Sequence, residues 1–164
     1  MAEAQDEPKT KLRFIGSYNH TMDAKGRMVI PQVFRDQLGD TFCIAPSLDF
    51  SSIAIYPNEK WEERSHAYEK LGKLNPGLNQ YLEQFYAMSY DNQTCDGQGR
   101  VLLPANLRQK VLKDDREVEI TGAHDYVRVV TAVAAADAWE KFRSELPDLL
   151  EMIGRLEQQN ADRE

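Results

Sequence analysis

The stretch Asn19-His20-Thr21-Met22-Asp23-Ala24-Lys25-Gly26-Arg27-Met28-Val29-Ile30-Pro31-Gln32-Val33-Phe34-Arg35-Asp36-Gln37-Leu38 decides the fold, because the chain carries it twice. Displaced by 73 positions it aligns with Asn92 to Val111, and seven of the twenty positions are identical: Asn19/Asn92, Thr21/Thr94, Asp23/Asp96, Gly26/Gly99, Arg27/Arg100, Pro31/Pro104 and Arg35/Arg108. About one coincidence is expected by chance, and a period this long means a duplicated half-domain, not a solenoid. Apolar character also persists at Met28/Val101, Val29/Leu102, Ile30/Leu103, Phe34/Leu107 and Leu38/Val111.

Each copy reads as strand, tight loop, strand, short helix. Phe14 to Met22 is rich in aromatic and β-favouring residues, Asp23-Ala24-Lys25-Gly26 is a turn whose glycine can take a positive φ, and Arg27 to Ile30 resumes a strand. Pro31 suits the first position of a helix that carries Phe34 and Leu38 on one face and stops at Gly39. Strands follow at Thr41 to Ile44 and Ser52 to Tyr56, answered by Glu117 to Thr121 and Tyr126 to Val130. Helical stripes come next: Trp61, Arg64 or Ser65, Tyr68 and Leu71 after the first block, and Trp139, Phe142 and Leu146 after the second. A connecting helix is expected from about Leu78 to Met88, and Leu149, Ile153 and Leu156 carry an apolar stripe into the tail. Trp61 and Trp139 read as core anchors. Each stripe is either intrachain core or a surface for a partner helix, and halves of about seventy residues bury too little alone, so association of protomers is expected.

Composition narrows the class. The 164 residues are 41% apolar and 29% charged, enough apolar surface for a folded core, with a net charge of -7. That charge is unevenly spread: from Lys9 to Arg35 there are six bases against one acid, whereas from Asp137 to Glu164 there are four bases against eight acids. A basic segment facing a polyanion, with an acidic helical tail pointing away, is one reading; solvated faces with chance asymmetry is the other. The longest mostly uncharged run, Val129 to Ala136, is far below the ~20 residues of a membrane span, and residues 1–13 carry charges where a secretory signal carries an apolar stretch. A soluble cytosolic protein is expected. Cys43 and Cys95 are too few for a zinc set and are expected to be reduced thiols.

The repeated pattern is Asp-x-x-Gly-Arg, as Asp23-Ala24-Lys25-Gly26-Arg27 and Asp96-Gly97-Gln98-Gly99-Arg100. Asp23 and Asp96 structure the loops by accepting backbone N–H bonds, and Gly26 and Gly99 allow a left-handed residue. The arginines have two readings that can coexist. Each can pair with an acid, either four positions earlier or in the other half, or it can present a planar charged fork to phosphate or to guanine O6 and N7. His20, just before the first loop, either touches phosphate or is satisfied within the strand layer.

The motif Phe14-x-Gly16-x-Tyr18-x-His20-Thr21-x-Asp23-x-Lys25-Gly26-Arg27-x-x-Ile30-Pro31, followed by Asp96-x-x-Gly99-Arg100 and Pro104-x-x-x-Arg108, resembles the MraZ family of bacterial transcriptional regulators from about Phe14 to Phe142. The resemblance implies an α+β protein with an AbrB-like (SpoVT-AbrB) double-split β-barrel, built from two pseudo-symmetric swapped-hairpin halves with peripheral helices. It also implies a ring-shaped homo-oligomer that binds short guanine-rich direct repeats ahead of the division and cell-wall gene cluster, usually as a repressor. By position, Lys25, Gly26 and Arg27 form one DNA-facing loop and Arg100 marks the second. Gln98 stands in the place of Lys25, so the second loop is the less basic. The segments implied are an extension over 1–13, a first half over 14–74, a connecting helix over 75–89, a second half over 90–146 and a helical tail over 147–164. Double-stranded DNA is the expected partner and the nucleoid the expected location. No cofactor, metal, membrane or small-molecule ligand is expected.

Two other classes compete. An enzyme would use Asp23 and Asp96 with His20 around a metal, but the chain has no H-E-x-x-H, G-x-S-x-G or Walker loop, and Gly97-x-Gly99 continues to Leu102 where a dinucleotide fingerprint has glycine. A protein-interaction scaffold would dock a partner on the acidic tail helix without reading DNA.

Overall fold

The computed structural model describes residues 13–164; the expected N-terminal extension lies, apart from Arg13, outside the described residues. The chain divides into two compact units, one ending at Thr131 and one running from Ala132 to Glu164. In order, the first unit contains β1 (Ser17–Thr21), β2 (Arg27–Val29), α1 (Gln32–Leu38), β3 (Phe42–Pro46), β4 (Ile53–Pro57) and α2 (Asn58–Leu74). A 3-10 turn (Pro76–Leu78), α3 (Asn79–Ala87), β5 (Tyr90–Gln93), β6 (Arg100–Leu102), α4 (Ala105–Lys110), β7 (Glu117–Gly122) and β8 (Val127–Thr131) complete it. The second unit is one helix, α5 (Ala132–Ala161), which runs through both Leu146 and Pro147.

The fold is mixed α/β: a six-stranded antiparallel sheet in the order β1-β7-β8-β4-β3-β5, and a two-stranded ribbon of β2 and β6. Exchanging each strand for its repeat counterpart (β1 with β5, β2 with β6, β3 with β7, β4 with β8) reverses the sheet order and leaves it unchanged. The duplication read in the sequence is therefore a pseudo-twofold in the sheet. The first strand of each half pairs with the third strand of the other half, β1 with β7 and β5 with β3, and β4 meets β8 at the centre. Strands β1 and β2, though joined by a tight turn, belong to different sheets. Neither half can complete its sheet alone, which is how two thin halves come to share one core.

That core joins Phe14, Met28, Ile30, Phe34, Ile44, Ile55, Val101, Leu103, Leu107, Val118, Ile120, Val127 and Val129 into one buried cluster. Strands β3 and β4 are buried on both faces, so they read as unbroken apolar runs. Phe42, Ile44, Ile53 and Ile55 face the main cluster, whereas Cys43, Ala45, Ala54 and Tyr56 meet Trp61 of α2 and Phe85 of α3. The Trp61 and Phe85 rings stack with centroids 6.1 Å apart. Trp61 is the anchor expected of it, but Trp139 is 58% exposed and touches the ring of Phe142. Its helical periodicity identified a helix correctly; periodicity alone does not say whether a stripe is covered by the same chain.

Pro31 and Pro104 stand one residue earlier than expected, as the N-caps of α1 and α4, with extended ψ of 138° and 137°. A proline there already places its carbonyl to accept the first helical bonds, from Phe34 and Arg35 in one copy and from Leu107 and Arg108 in the other. The connecting helix begins as a 3-10 turn because Asn75 Oδ1 accepts the Gly77 amide at 3.0 Å.

Candidate nucleic-acid interface

Each turn is organised by its aspartate. Asp23 Oδ1 accepts the amides of Lys25 at 3.0 Å and Arg27 at 2.9 Å, and Oδ2 accepts Nε of Arg27 at 2.7 Å. Asp96 repeats the arrangement, with Oδ1 accepting the amides of Gln98 and Arg100 at 2.9 Å each and Oδ2 accepting Arg100 Nε at 2.8 Å. The backbone closes both turns alike: the glycine amide donates to the aspartate carbonyl at 3.0 Å in each, and the aspartate amide donates to the arginine carbonyl. Gly26 and Gly99 have φ of +84° and +75°, the left-handed region that disfavours side chains. The bonds from the Arg27 amide, above all, pull the Asp23 carboxyl from its ordinary 3.8 down to about 2, and the equivalent bonds lower Asp96.

The aspartate bond takes only the inner nitrogen of each guanidinium. Among the described residues, the terminal nitrogens of Arg27 and Arg100 have no hydrogen-bond partner, and the two side chains are 31% and 29% exposed. Of the two sequence readings of these arginines, pairing with the acid four positions earlier is what the structure contains, and it leaves the outer fork free. Lys25 and Gln98 are exposed beside them.

The ribbon brings the two turns together. Arg27 pairs with Leu102, Met28 with Val101 and Val29 with Arg100. Met28 and Val101 are buried below, so by strand alternation Arg27, Val29, Arg100 and Leu102 share the outer face. Crossed backbone bonds lock the halves: the Ile30 amide donates to the Gly99 carbonyl and the Leu103 amide to the Gly26 carbonyl, both at 3.1 Å.

Two further arginines, duplicated in sequence but given no role there, belong to this arrangement. A Cβ on Gly26 would fall 2.4 Å from Cζ of Arg108, and one on Gly99 would fall 1.2 Å from Nη1 of Arg35. Each half thus lays a guanidinium from its helix against the turn glycine of the other half. The signal was the repeat itself, since Arg35 and Arg108 keep a fixed spacing of eight from the loop arginines. Gly26 is buried and acts through its backbone.

His20 is used inside the fold, its Nε2 accepting the Val29 amide at 3.3 Å and so tying β1 to β2. Burial drives both thiols upward, Cys43 to about 12, so the fold does not activate Cys95 as a nucleophile.

Two aspartate-braced arginines on one outer ribbon of an internally duplicated, strand-exchanged fold offer the charge and geometry that suit an anionic surface. A profile described as "MraZ protein, putative antitoxin-like" matches residues 13–75. The transcriptional regulator MraZ of Alkaliphilus oremlandii is 33% identical over 132 residues, spanning 80% of this chain and 87% of the relative. That of Moorella thermoacetica is 32% identical over 140 residues, 85% of this chain and 93% of its own length. That of Lachnoclostridium phytofermentans reaches 42% identity over 98 residues, 58% of this chain and 66% of the relative. The chain belongs to the MraZ family, a family of transcriptional regulators and not of enzymes. Among the described residues no helix is long and apolar enough to cross a membrane.

Proposed function

We propose that this chain regulates transcription by sequence-specific binding of double-stranded DNA, and that the Asp-x-x-Gly-Arg turns are its reading heads. Arg27 and Arg100 direct their free guanidinium edges at guanine O6 and N7 and Lys25 meets phosphate, while the buried Gly26 shapes the loop that presents them. Asp23, Asp96 and Gly99 hold the geometry. The observation that carries the reading is the fixed fork: Asp23 holds Nε of Arg27 at 2.7 Å while the outer edge stays open. An arginine held in place loses less rotamer entropy on binding than a free one.

In this reading the residues 14–74 and 90–146 are SpoVT-AbrB-like halves of a double-split barrel, and protomers assemble as a ring. One turn provides ~1–3 kcal/mol of discrimination from a bidentate arginine, too little to mark a promoter. Several protomers on one ring engage successive guanine-rich repeats at high effective concentration, provided the repeats recur about every ~10 bp. The regulated target is the division and cell-wall gene cluster, repressed from the nucleoid in the cytoplasm. Selection of bound duplexes from a random library, at stated salt concentrations, tests this. Recovery of guanine-rich motifs at one-turn spacing is expected, and recovery of no motif at any salt would remove the reading.

A further inference from the structure

The apolar stripe of α5 lies on a different element from the Asp-x-x-Gly-Arg turns, and its spacing is stricter than a surface helix needs. Ala135, Trp139, Phe142, Leu146, Leu149, Ile153, Leu156 and Asn160 follow one another at steps of four, three, four, three, four, three and four. This is an unbroken heptad seam, with Trp139, Leu146, Ile153 and Asn160 at one core position and Ala135, Phe142, Leu149 and Leu156 at the other. A helix that packs on a globular body keeps a broader stripe near a period of 3.6; a seam of period 3.5 sustained over more than three heptads is shaped for another helix. Trp139, Phe142, Ile153 and Leu156 are 40–58% exposed, and no residue of α5 is buried.

We infer that α5 pairs with α5 of a second copy of this chain as an antiparallel coiled coil. Charge and volume choose the orientation. In a parallel pair the flanking contacts are Ala138 with Arg143, Glu145 with Leu150 and Met152 with Glu157, and none is an ion pair. In the antiparallel register that overlaps the whole seam, Arg143 lies on the same flank as the partner's Glu157, five residues or about 7.5 Å along the axis. That is the offset flanking charges bridge in coiled coils, and twofold symmetry makes the pair twice. The core layers become Trp139 on Leu156, Phe142 on Ile153, Leu146 on Leu149 and Ala135 on Asn160, so each aromatic meets an aliphatic side chain instead of its own copy. Pro147, inside the helix, falls on the outer side of the seam, so its ring stays clear of the partner helix; the bond it removes is the helix's own, to the Arg143 carbonyl.

The inference concerns α5 and holds whether or not the turns read DNA. The test uses full-length protein. Ile153→Lys combined with Leu156→Lys should weaken self-association in sedimentation velocity by roughly a hundredfold while binding of a single duplex repeat stays unchanged. In a Cys95→Ser background, mixing a Phe142→Cys chain with an Ile153→Cys chain under mild oxidation should yield the mixed disulfide. Unchanged association of the double-lysine variant overturns the coiled coil. Only like-with-like disulfides, or none, overturn the antiparallel pairing.

Discussion

The two Asp-x-x-Gly-Arg turns have one geometry and two charges. Their matched hydrogen bonds agree within about 0.2 Å across the pseudo-twofold, yet the first exposes Lys25 where the second exposes Gln98. Aspartate, glycine and arginine occur in both copies and are the residues the turn uses for its shape. The position between them joins the brace only through its backbone amide; its side chain faces solvent and is free to set the local field. The arginine fork is thus the shared element of recognition and the lysine an addition on one side, and the comparison can be broken at each level.

The largest effect is expected from the fork. Arg27→Ala should cost ~1–3 kcal/mol per guanine read, about 5- to 150-fold per site, compounded when several protomers bind together. Arg100→Ala should cost less, because its turn lacks the neighbouring lysine. A gel-shift titration in which both variants match the parent would mean that neither guanidinium reads DNA.

Next comes the glycine. Gly99→Ala forces a side chain into the left-handed region and against the Arg35 guanidinium, and Gly26→Ala does the same against Arg108. Each should lose roughly 1–3 kcal/mol of stability in denaturant melts. Gly97→Ala, with open space around its Cβ, is the control and should melt with the parent. A melt of Gly97→Ala shifted as far as the other two would show that the turn is sensitive to any added side chain.

Much of this was legible in the sequence, for identifiable reasons. Turn chemistry is local, so Asp23 and Gly26 could be assigned from their types and spacing, and the structure repeats that assignment bond by bond. The duplication placed every strand to within a few residues, because apolar alternation and glycine breaks are local as well. Partnership is not. Nothing in Ser17 to Val29 says that β1 joins β7 and β2 joins β6; that choice is made by how two incomplete halves bury Met28 and Val101 together. The same limit hid Arg35 and Arg108, whose partner glycines lie 64 and 82 residues away. Trp139 fell to a related limit, since three apolar residues at helical steps, Trp139, Phe142 and Leu146, do not say whether their cover comes from this chain or another.

A smaller effect separates the two turns directly. Lys25→Ala should weaken binding to all sequences alike and flatten the dependence of log affinity on log salt by about 1, and Gln98→Lys should steepen it by about 1. If Gln98→Lys changes neither affinity nor slope while Lys25→Ala does, the second turn stays away from the backbone and only the first is engaged.

The smallest effect tests the brace, and its sign follows from the carboxyl. Asp23 titrates near 2 in the folded chain against an ordinary 3.8, because the Arg27 amide, the Arg27 side chain and the Lys25 amide all bond its charged form. A depressed carboxyl adds stability that is present above 3.8 and drains away as pH falls through about 2, below which both states carry the proton. In Asp23→Asn the amide oxygen can still accept the two backbone bonds, but the amide nitrogen faces Arg27 Nε, donor against donor. The variant should therefore be less stable than the parent at pH 5, and the gap should close as the pH is lowered from 4 to 2. Denaturant melts across that range read the gap directly; a gap that stays constant would place the strength of the brace in its backbone bonds and not in its charge. Asp96→Asn should behave in the same way, since its carboxyl is lowered by the same bonds.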